Sequence, residues 1–304
     1  MATVSITTTA DGDSTTTTRR TGHSAWRALR RNRWGMAALS FLGLVVIAAL
    51  LAPMLAPHDP QTQDLLGRLA PPFWDADGSA AHLLGTDHLG RDVLSRLIYG
   101  SRVSLLVGVC AALLAGVLGA TVGLVAGYYG GWADRILMRL ADVQLAFPSI
   151  LLALAVVAFL GNGLWIVIIV LGITGWVAYA RVVRSEVLSL KTREFVTEAR
   201  AIGVGDRTII TRHLLRNVTA PIATIGTLQV ASVIVAESAL SFLGLGVPAS
   251  VPTWGSMLAD GQLYLGTSWW IAVFPGLALM LTSLSINITG DAIRDATDPK
   301  AYRG

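Results

Sequence analysis

The sequence predicts an all-α integral membrane protein with six transmembrane helices and a short polar helical segment between the fourth and fifth. Three observations carry this. Only 14% of the 304 residues are charged, against about 25% in an ordinary soluble domain, and the mean hydropathy is +0.61. Long uncharged runs are present, and a bilayer core of roughly 30 Å takes only about 20 apolar helical residues to cross. Between two such runs, 143–180 and 218–236, the segment Arg193 to Asn217 concentrates seven Arg or Glu residues and one Asp. A polar, helix-forming element set between spans has an obvious use, which is to touch something soluble.

Taken in order, residues 1–18 are rich in Thr and lack both a positive n-region and an apolar h-region. They read as the start of a disordered tail, 1–33 with its basic flank, and not as a signal peptide. The transmembrane domain is expected over 34–292. Span one runs from Trp34 to Leu55 and is stopped by Pro57 and by His58-Asp59-Pro60, where a loop over 57–100 begins. Span two fills 103–126. The run 143–180 is too long for one crossing, and Gly161-Asn162-Gly163 breaks it as a turn would, giving helices at 136–160 and 164–186. The polar segment over 188–217 follows, then span five at 219–245, a loop at 246–269, span six at 270–290 and a tail at 293–304.

Arg and Lys set the orientation, because short cytoplasmic loops carry an excess of them. With the N-terminus inside, 19 of the 23 basic residues fall on the inner side, and only Arg68, Arg91, Arg96 and Arg102 lie in the loop after span one. Both termini are therefore expected in the cytoplasm. The same bias accounts for a sequence pI of about 9.6 without nucleic acid as a partner. Cys110 is the single cysteine, so the 57–100 loop must order itself without an intrachain disulfide.

The polar segment reads as two short helices. In the first, Phe195, Val196, Ala199 and Ile202 recur at spacings that define one face, and Gly203 and Gly205 stop it. Asp206 is a good N-cap for a second helix reaching Leu215. An amphipathic helix lying on the inner leaflet is the other reading of the same composition. Glu237 lies within span five, roughly 22 Å from the inner surface. An acid at such depth needs protein, water or a partner around it: it either meets a substrate's positive charge or holds two spans together. Arg139 and Asp142 are placed to pair as an i, i+3 salt bridge, and Asp260 is expected to be solvated. Asp87, Arg91 and Asp92 can satisfy one another and nearby backbone. His82 and His88 lack a third convergent ligand, so they read as structural and not as metal ligands. Trp34, Trp132, Trp165, Trp269 and Trp270 fall near predicted interfaces, where Trp anchors.

Chemistry is conspicuously missing. A nucleotide loop needs Gly-Lys followed by Ser or Thr, but Lys191 follows Leu190 and Lys300 follows Pro299. Neither G-x-S-x-G nor H-E-x-x-H occurs. The chain is not expected to be an enzyme, and no cofactor or metal is expected on it. An ion-coupled secondary transporter would show related halves and several mid-membrane charges, of which Glu237 is the only sign.

The polar segment resembles the cytoplasmic loop of ATP-binding-cassette importer permeases, through Arg193-Glu194-Phe195-Val196, Ala199-Arg200-Ala201-Ile202-Gly203, Arg212-His213-Leu214-Leu215 and Asn217. That family's loop carries an E-A-A motif, a glycine and a later H-x-L-P-N. Here Thr197-Glu198-Ala199 takes the triplet and Arg216 stands where Pro is usual. The stretch His82 to Arg96 is similar to the HxLGTDxxGRDxxSR block of the C-type permease in dipeptide, oligopeptide and nickel importers. Tyr128-Tyr129-Gly130-Gly131-Trp132, Ala146-Phe147-Pro148, Ser241 to Gly246, Trp254-Gly255 and Gly290-Asp291 also match its pattern. The resemblance implies that Glu194, Phe195, Glu198, Ala199, Arg200, Ile202 and Gly203 couple the chain to an ATPase. It also implies a second, B-type permease, two ATPase subunits holding ATP and magnesium, an extracellular binding protein and a bacterial inner-membrane location. Short peptides are the expected cargo, with nickel chelates or glutathione as alternatives.

Overall fold

The computed structural model describes residues 33–248 and 250–297, whose regular elements are all helical; a long irregular segment, 56–92, holds one isolated bridge. The tail expected over 1–33, but for Arg33, and the end of the tail at 293–304 lie outside the described residues. The helices are α1 (Arg33–Leu50), α2 (Ala52–Leu55), α3 (Val93–Tyr129), α4 (Gly131–Leu145), α5 (Ser149–Leu160) and α6 (Leu164–Leu190). They continue with α7 (Glu194–Ala201), α8 (Asp206–Thr208), a π-helical turn (Ile209–Leu214), α9 (Leu215–Phe242), α10 (Trp254–Gly261) and α11 (Trp270–Thr297).

Five of these segments are long and apolar enough to cross a bilayer: α1, α3, α6, the continuous helix Asp206–Phe242, and Trp270–Ala292. The helix read from sequence as a straight span over 136–160 is instead broken into α4 and α5, bent by 86°, so a sixth crossing exists only if that pair counts as one. The break falls at Ala146-Phe147-Pro148, where Pro148 takes φ −55° and ψ 125°, outside the helical region and without an N–H to continue the ladder. On its near side α4 carries Asp134, Arg135, Arg139 and Asp142. Such a charged helix belongs at an interface and not in hydrocarbon.

The core is built around α3 against α6, the most extensively packed helix pair. Gly119, Gly123 and Gly127 lie four residues apart on the face that meets α6, and a Cβ on Gly119 would stand 2.3 Å from the Trp176 carbonyl oxygen. Only glycine permits that backbone approach, the usual device where lipid leaves packing as the main attraction between helices. Polar side chains then fix α4 to α6. Gln144 donates to the Thr174 carbonyl at 2.6 Å and accepts from Trp176 Nε1 at 2.6 Å, and Arg184 pairs with Asp134. Asp142 is held by Arg181 at 2.7 Å, not by Arg139 as the helical spacing suggested, because α6 brings a guanidinium to it from across the bundle.

The segment between α2 and α3 folds onto one end of the bundle. Gly85 and Gly90 take φ of +79° and +74°, so both tight turns occur where expected. Asp87 accepts from the backbone N–H of Leu89 and Arg91, each at 2.9 Å, and pairs with Arg91 and Arg96. Asp260 of α10 receives the other ends of the same two guanidiniums at 3.0 and 3.2 Å. It is therefore an ion-pair partner and not a solvated carboxylate. Burial opposes ionisation of Asp87, but Arg96, Arg91 and the two backbone donors together outweigh it and hold the carboxyl below the usual range. Trp270 Nε1 donates to the Thr86 carbonyl at 3.0 Å and Trp254 Nε1 to that of Leu97 at 3.1 Å, tying α11 to this loop and α10 to the first turns of α3. Both rings are buried, so these two Trp are structural pins.

Candidate functional site

At the opposite end of the bundle, α7 begins at Arg193 without a side-chain cap. Its ends suit the helix dipole, with Glu194 in the first turn and Arg200 in the last. Gly203, at φ +81°, closes it: the Gly203 N–H donates to the Arg200 carbonyl at 3.0 Å and the Val204 N–H to that of Ala199 at 2.9 Å, the paired bonds of a Schellman stop. The helix therefore ends at the glycine the spacing pointed to.

Its apolar residues share one stripe, but this chain buries only half of it. Val196 and Ala199 are buried against Val187 and Leu190 of α6 and against Leu214 and Val218, whereas Phe195 is partly exposed and Ile202 is 80% exposed. Phe195 and Ile202, seven residues apart, share the outer edge of the stripe, so the chain's own helices cover one edge of it and leave the other open. Glu194, Glu198 and Arg200 also face outward. Of the seven residues that the resemblance singles out, Ala199 serves the chain's own packing, and the other six are at the surface.

The second helix also departs from expectation. Asp206 does not cap it; Gly205 precedes α8 with no side-chain cap, and the Asp206 carboxylate instead accepts from the Tyr128 hydroxyl at 2.5 Å. The helix passes through a π-turn at Ile209–Leu214 and runs unbroken into α9. Inserting one residue into the ladder in this way is frequent at functional sites. Phe195 and His213 lie with ring centres 6.3 Å apart. Together with Val204, Arg212, Arg216 and Asn217 they line a cleft of about 640 Å³. Arg216 is exposed on its rim, and Thr197 is turned back to the Arg193 carbonyl at 3.3 Å.

Tyr128, at the end of α3, was visible in the sequence only as part of the Tyr128-to-Trp132 block, and nothing in its spacing gave it a role. The structure stands Arg200 of α7 over its ring at 4.9 Å while its hydroxyl holds α8. Lys191 donates to the Gly127 carbonyl at 3.0 Å. These contacts seat the polar segment on the end of α3.

Above this surface, α3 and α9 line an open apolar groove of about 780 Å³. Val109, Leu113 and Val117 face Ile222, Gly226 and Val230 across it. Glu237 is not among its lining residues. It is fully buried and accepts from Ser241 Oγ at 2.8 Å and, more weakly, from Ser104 of α3 and Ser238 at 3.4 Å. No Arg or Lys pairs with it among the described residues. The carboxyl thus joins α9 to α3 through hydroxyls, seven residues beyond Val230 and past the end of the groove lining.

Comparison with known proteins agrees over nearly the whole chain. A family model described as binding-protein-dependent transport system inner membrane component matches residues 119–302. A second, described as the N-terminal transmembrane domain of oligopeptide transport permease C, matches 21–72. A di/tripeptide transport system permease protein of Pseudomonas aeruginosa is 43% identical over 275 residues, covering 90% of this chain and 91% of that one. A dipeptide permease of Alkalihalophilus pseudofirmus is 41% identical over 91% of this chain and 89% of its own. A glutathione permease of Pectobacterium atrosepticum is 41% identical over 90% of each. Among solved structures, an inward-facing MetNI methionine ABC transporter chain aligns with a TM-score of 0.53 at 20% identity, over 67% of this chain and 98% of that one, which establishes the fold.

Proposed function

Since this chain belongs to the binding-protein-dependent inner-membrane transport family, we propose that it is one of two transmembrane subunits of an ATP-driven importer of short peptides. The observation that carries this reading is the 43% identity to a di/tripeptide permease over nine-tenths of both chains. The groove between α3 and α9 is half of the pathway, to be completed by a second, B-type permease. Its apolar walls offer no tight site, as suits a conduit whose selection is made by a separate binding protein.

The surface of Glu194, Phe195, Glu198, Arg200, Ile202 and Gly203, with the cleft beside it, docks on an ATPase subunit. Two such subunits bind ATP and magnesium and do the hydrolysis, since this chain has no phosphate-binding loop. The polar segment and both termini face the cytoplasm, as the basic residues require, and the 57–92 loop with α10 faces the bacterial exterior and the binding protein. Glutathione, itself a tripeptide, is the second reading, favoured by the 41% identity to its permease; two points of identity do not separate the cargoes.

Reconstitution tests the assignment. Proteoliposomes holding this chain, a B-type permease and the ATPase pair should take up dipeptide from the loaded binding protein only with ATP. Uptake by this chain alone under an ion gradient would contradict the reading, and preference for glutathione over dipeptide would decide for the second cargo.

A further inference from the structure

The strongest unassigned cluster lies where the chain leaves α2 and enters α3. His82 Nδ1 is 3.0 Å from Asp92 Oδ1, and His58 Nδ1 is 3.9 Å from Asp92 Oδ2. The two imidazoles face each other with ring centres 4.7 Å apart, so both Nδ1 atoms converge on one carboxylate. The ligand atoms of all three residues lie within 4.8 Å of one another. Ligands held about 2.0–2.1 Å from a tetrahedral Zn²⁺ stand about 3.3 Å apart, a spacing these side chains reach by small torsional adjustments.

The charge around Asp92 points the same way. Its side chain is 1% exposed, yet among the described residues its ion-pair partners are the two imidazoles and no Arg or Lys. Ser95 supplies two hydrogen bonds to Oδ2, from N at 2.8 Å and Oγ at 2.7 Å, which fix the carboxylate and leave Oδ1 to His82. A buried carboxylate with no Arg or Lys partner among the described residues, held rigidly beside two imidazoles, is a donor set for a borderline cation. The neighbouring group of Asp87, His88 and Asp260 is also closely spaced, but Arg91 and Arg96 already neutralise both of its carboxylates. A divalent ion there would meet two guanidiniums.

We propose that His58, His82 and Asp92 form a binding site for a divalent transition-metal ion of the Zn²⁺ class, which clips the segment after α2 to the N-terminus of α3. His58 is the half-open side of the site, with 41% of its side chain exposed, and leaves the fourth position to water. The only cysteine is Cys110, inside α3, so this loop has no disulfide, and closing it through a metal removes the same kind of chain freedom from the unfolded state. The sequence pairing of His82 with His88 missed the site, because the third donor comes from His58, beyond any local spacing.

The test uses the tag-free full-length chain in detergent, titrated with Co²⁺ and followed by the visible absorption of a tetrahedral ion, with Zn²⁺ as competitor. One equivalent should bind, and Zn²⁺ should raise the unfolding temperature. His58→Ala and His82→Ala should each weaken binding by more than the roughly 10- to 100-fold that outer-shell changes cost, while His88→Ala leaves it unchanged. His58 is exposed enough that its alanine variant keeps the helical content and elution volume of the parent. The proposal fails if the parent shows no saturable site below about 100 µM, or if His58→Ala binds as the parent does.

Discussion

The Arg200 guanidinium stands 4.9 Å from the centre of the Tyr128 ring, whose hydroxyl donates to Asp206 at 2.5 Å. One aromatic side chain at the end of α3 therefore holds both halves of the polar segment. Tyr128→Phe keeps the ring under Arg200 and removes the bond to a carboxylate, a loss of about 1.5–3 kcal/mol in local stability. Tyr128→Ala also removes a cation–π contact of about 0.5–1 kcal/mol. Hydrogen exchange across 194–217 should accelerate in the order parent, Phe, Ala, while α6 stays protected; equal protection in all three would show that the tyrosine does not seat the segment.

One exposed and one buried residue of the apolar stripe separate docking from folding. Ile202 is 80% exposed, so Ile202→Asp should leave assembly with the second permease intact and lower ATPase association or uncouple hydrolysis from uptake. Ala199→Arg places a cation in an apolar cluster of this chain's own helices, and should destabilise the segment itself. If Ile202→Asp supports full ATP-dependent uptake, this surface is not the docking site.

Glu237 accepts from three serine hydroxyls. Glu237→Gln retains an acceptor and should preserve assembly, while Glu237→Leu strands buried hydroxyls and should cost about 1–3 kcal/mol. Assembly of both variants with the partner permease, measured beside uptake, distinguishes a joint between helices from a charge needed by cargo: low uptake in well-assembled Gln variant would point to the charge.

Acid should loosen the loop end before the rest. The Asp87 carboxyl is held below its ordinary value in the folded chain, so its contribution to stability is complete above the usual carboxylate range and drains away as pH falls below about 4. Asp87→Asn removes that dependence and should destabilise the loop by about 3–5 kcal/mol, because Arg91 and Arg96 are left short of a partner. Tryptophan fluorescence from Trp254 and Trp270 against pH checks both effects, and an unchanged acid transition in Asp87→Asn would refute the assignment.

How far the sequence could be read depended on the range of the interaction. Hydropathy is summed over a span, so the long helices and the Gly161-Asn162-Gly163 turn were legible. So was Gly203, whose role is settled by its own φ. Contacts between distant segments were not: Asp142 had Arg139 nearby in sequence but Arg181 nearby in space, and Asp260 looked solvated until α10 folded onto Arg91 and Arg96. The 86° break at Pro148 was hidden because it falls inside the uncharged run that begins at Val143, and hydropathy summed over that run does not register a bend. Periodicity placed Phe195, Val196, Ala199 and Ile202 on one stripe, but how much of that stripe the chain would cover with its own α6 and α9 is not written in any local spacing.

The unbroken helix from Asp206 to Phe242 makes the protein mechanically simple. Arg212 and His213 sit near one end of this rod and Gly226 and Val230 face the groove farther along it, roughly 20–25 Å away at 1.5 Å per residue. No loop intervenes to absorb a displacement. The irregular points are the π-turn at 209–214 and Pro221, both close to the end proposed to dock on the ATPase, so under that proposal a push there would swing the groove wall as a lever swings about a fulcrum. The stroke at the wall is then set by where those joints lie, and the stiffness of the remaining helix decides how little of it is lost.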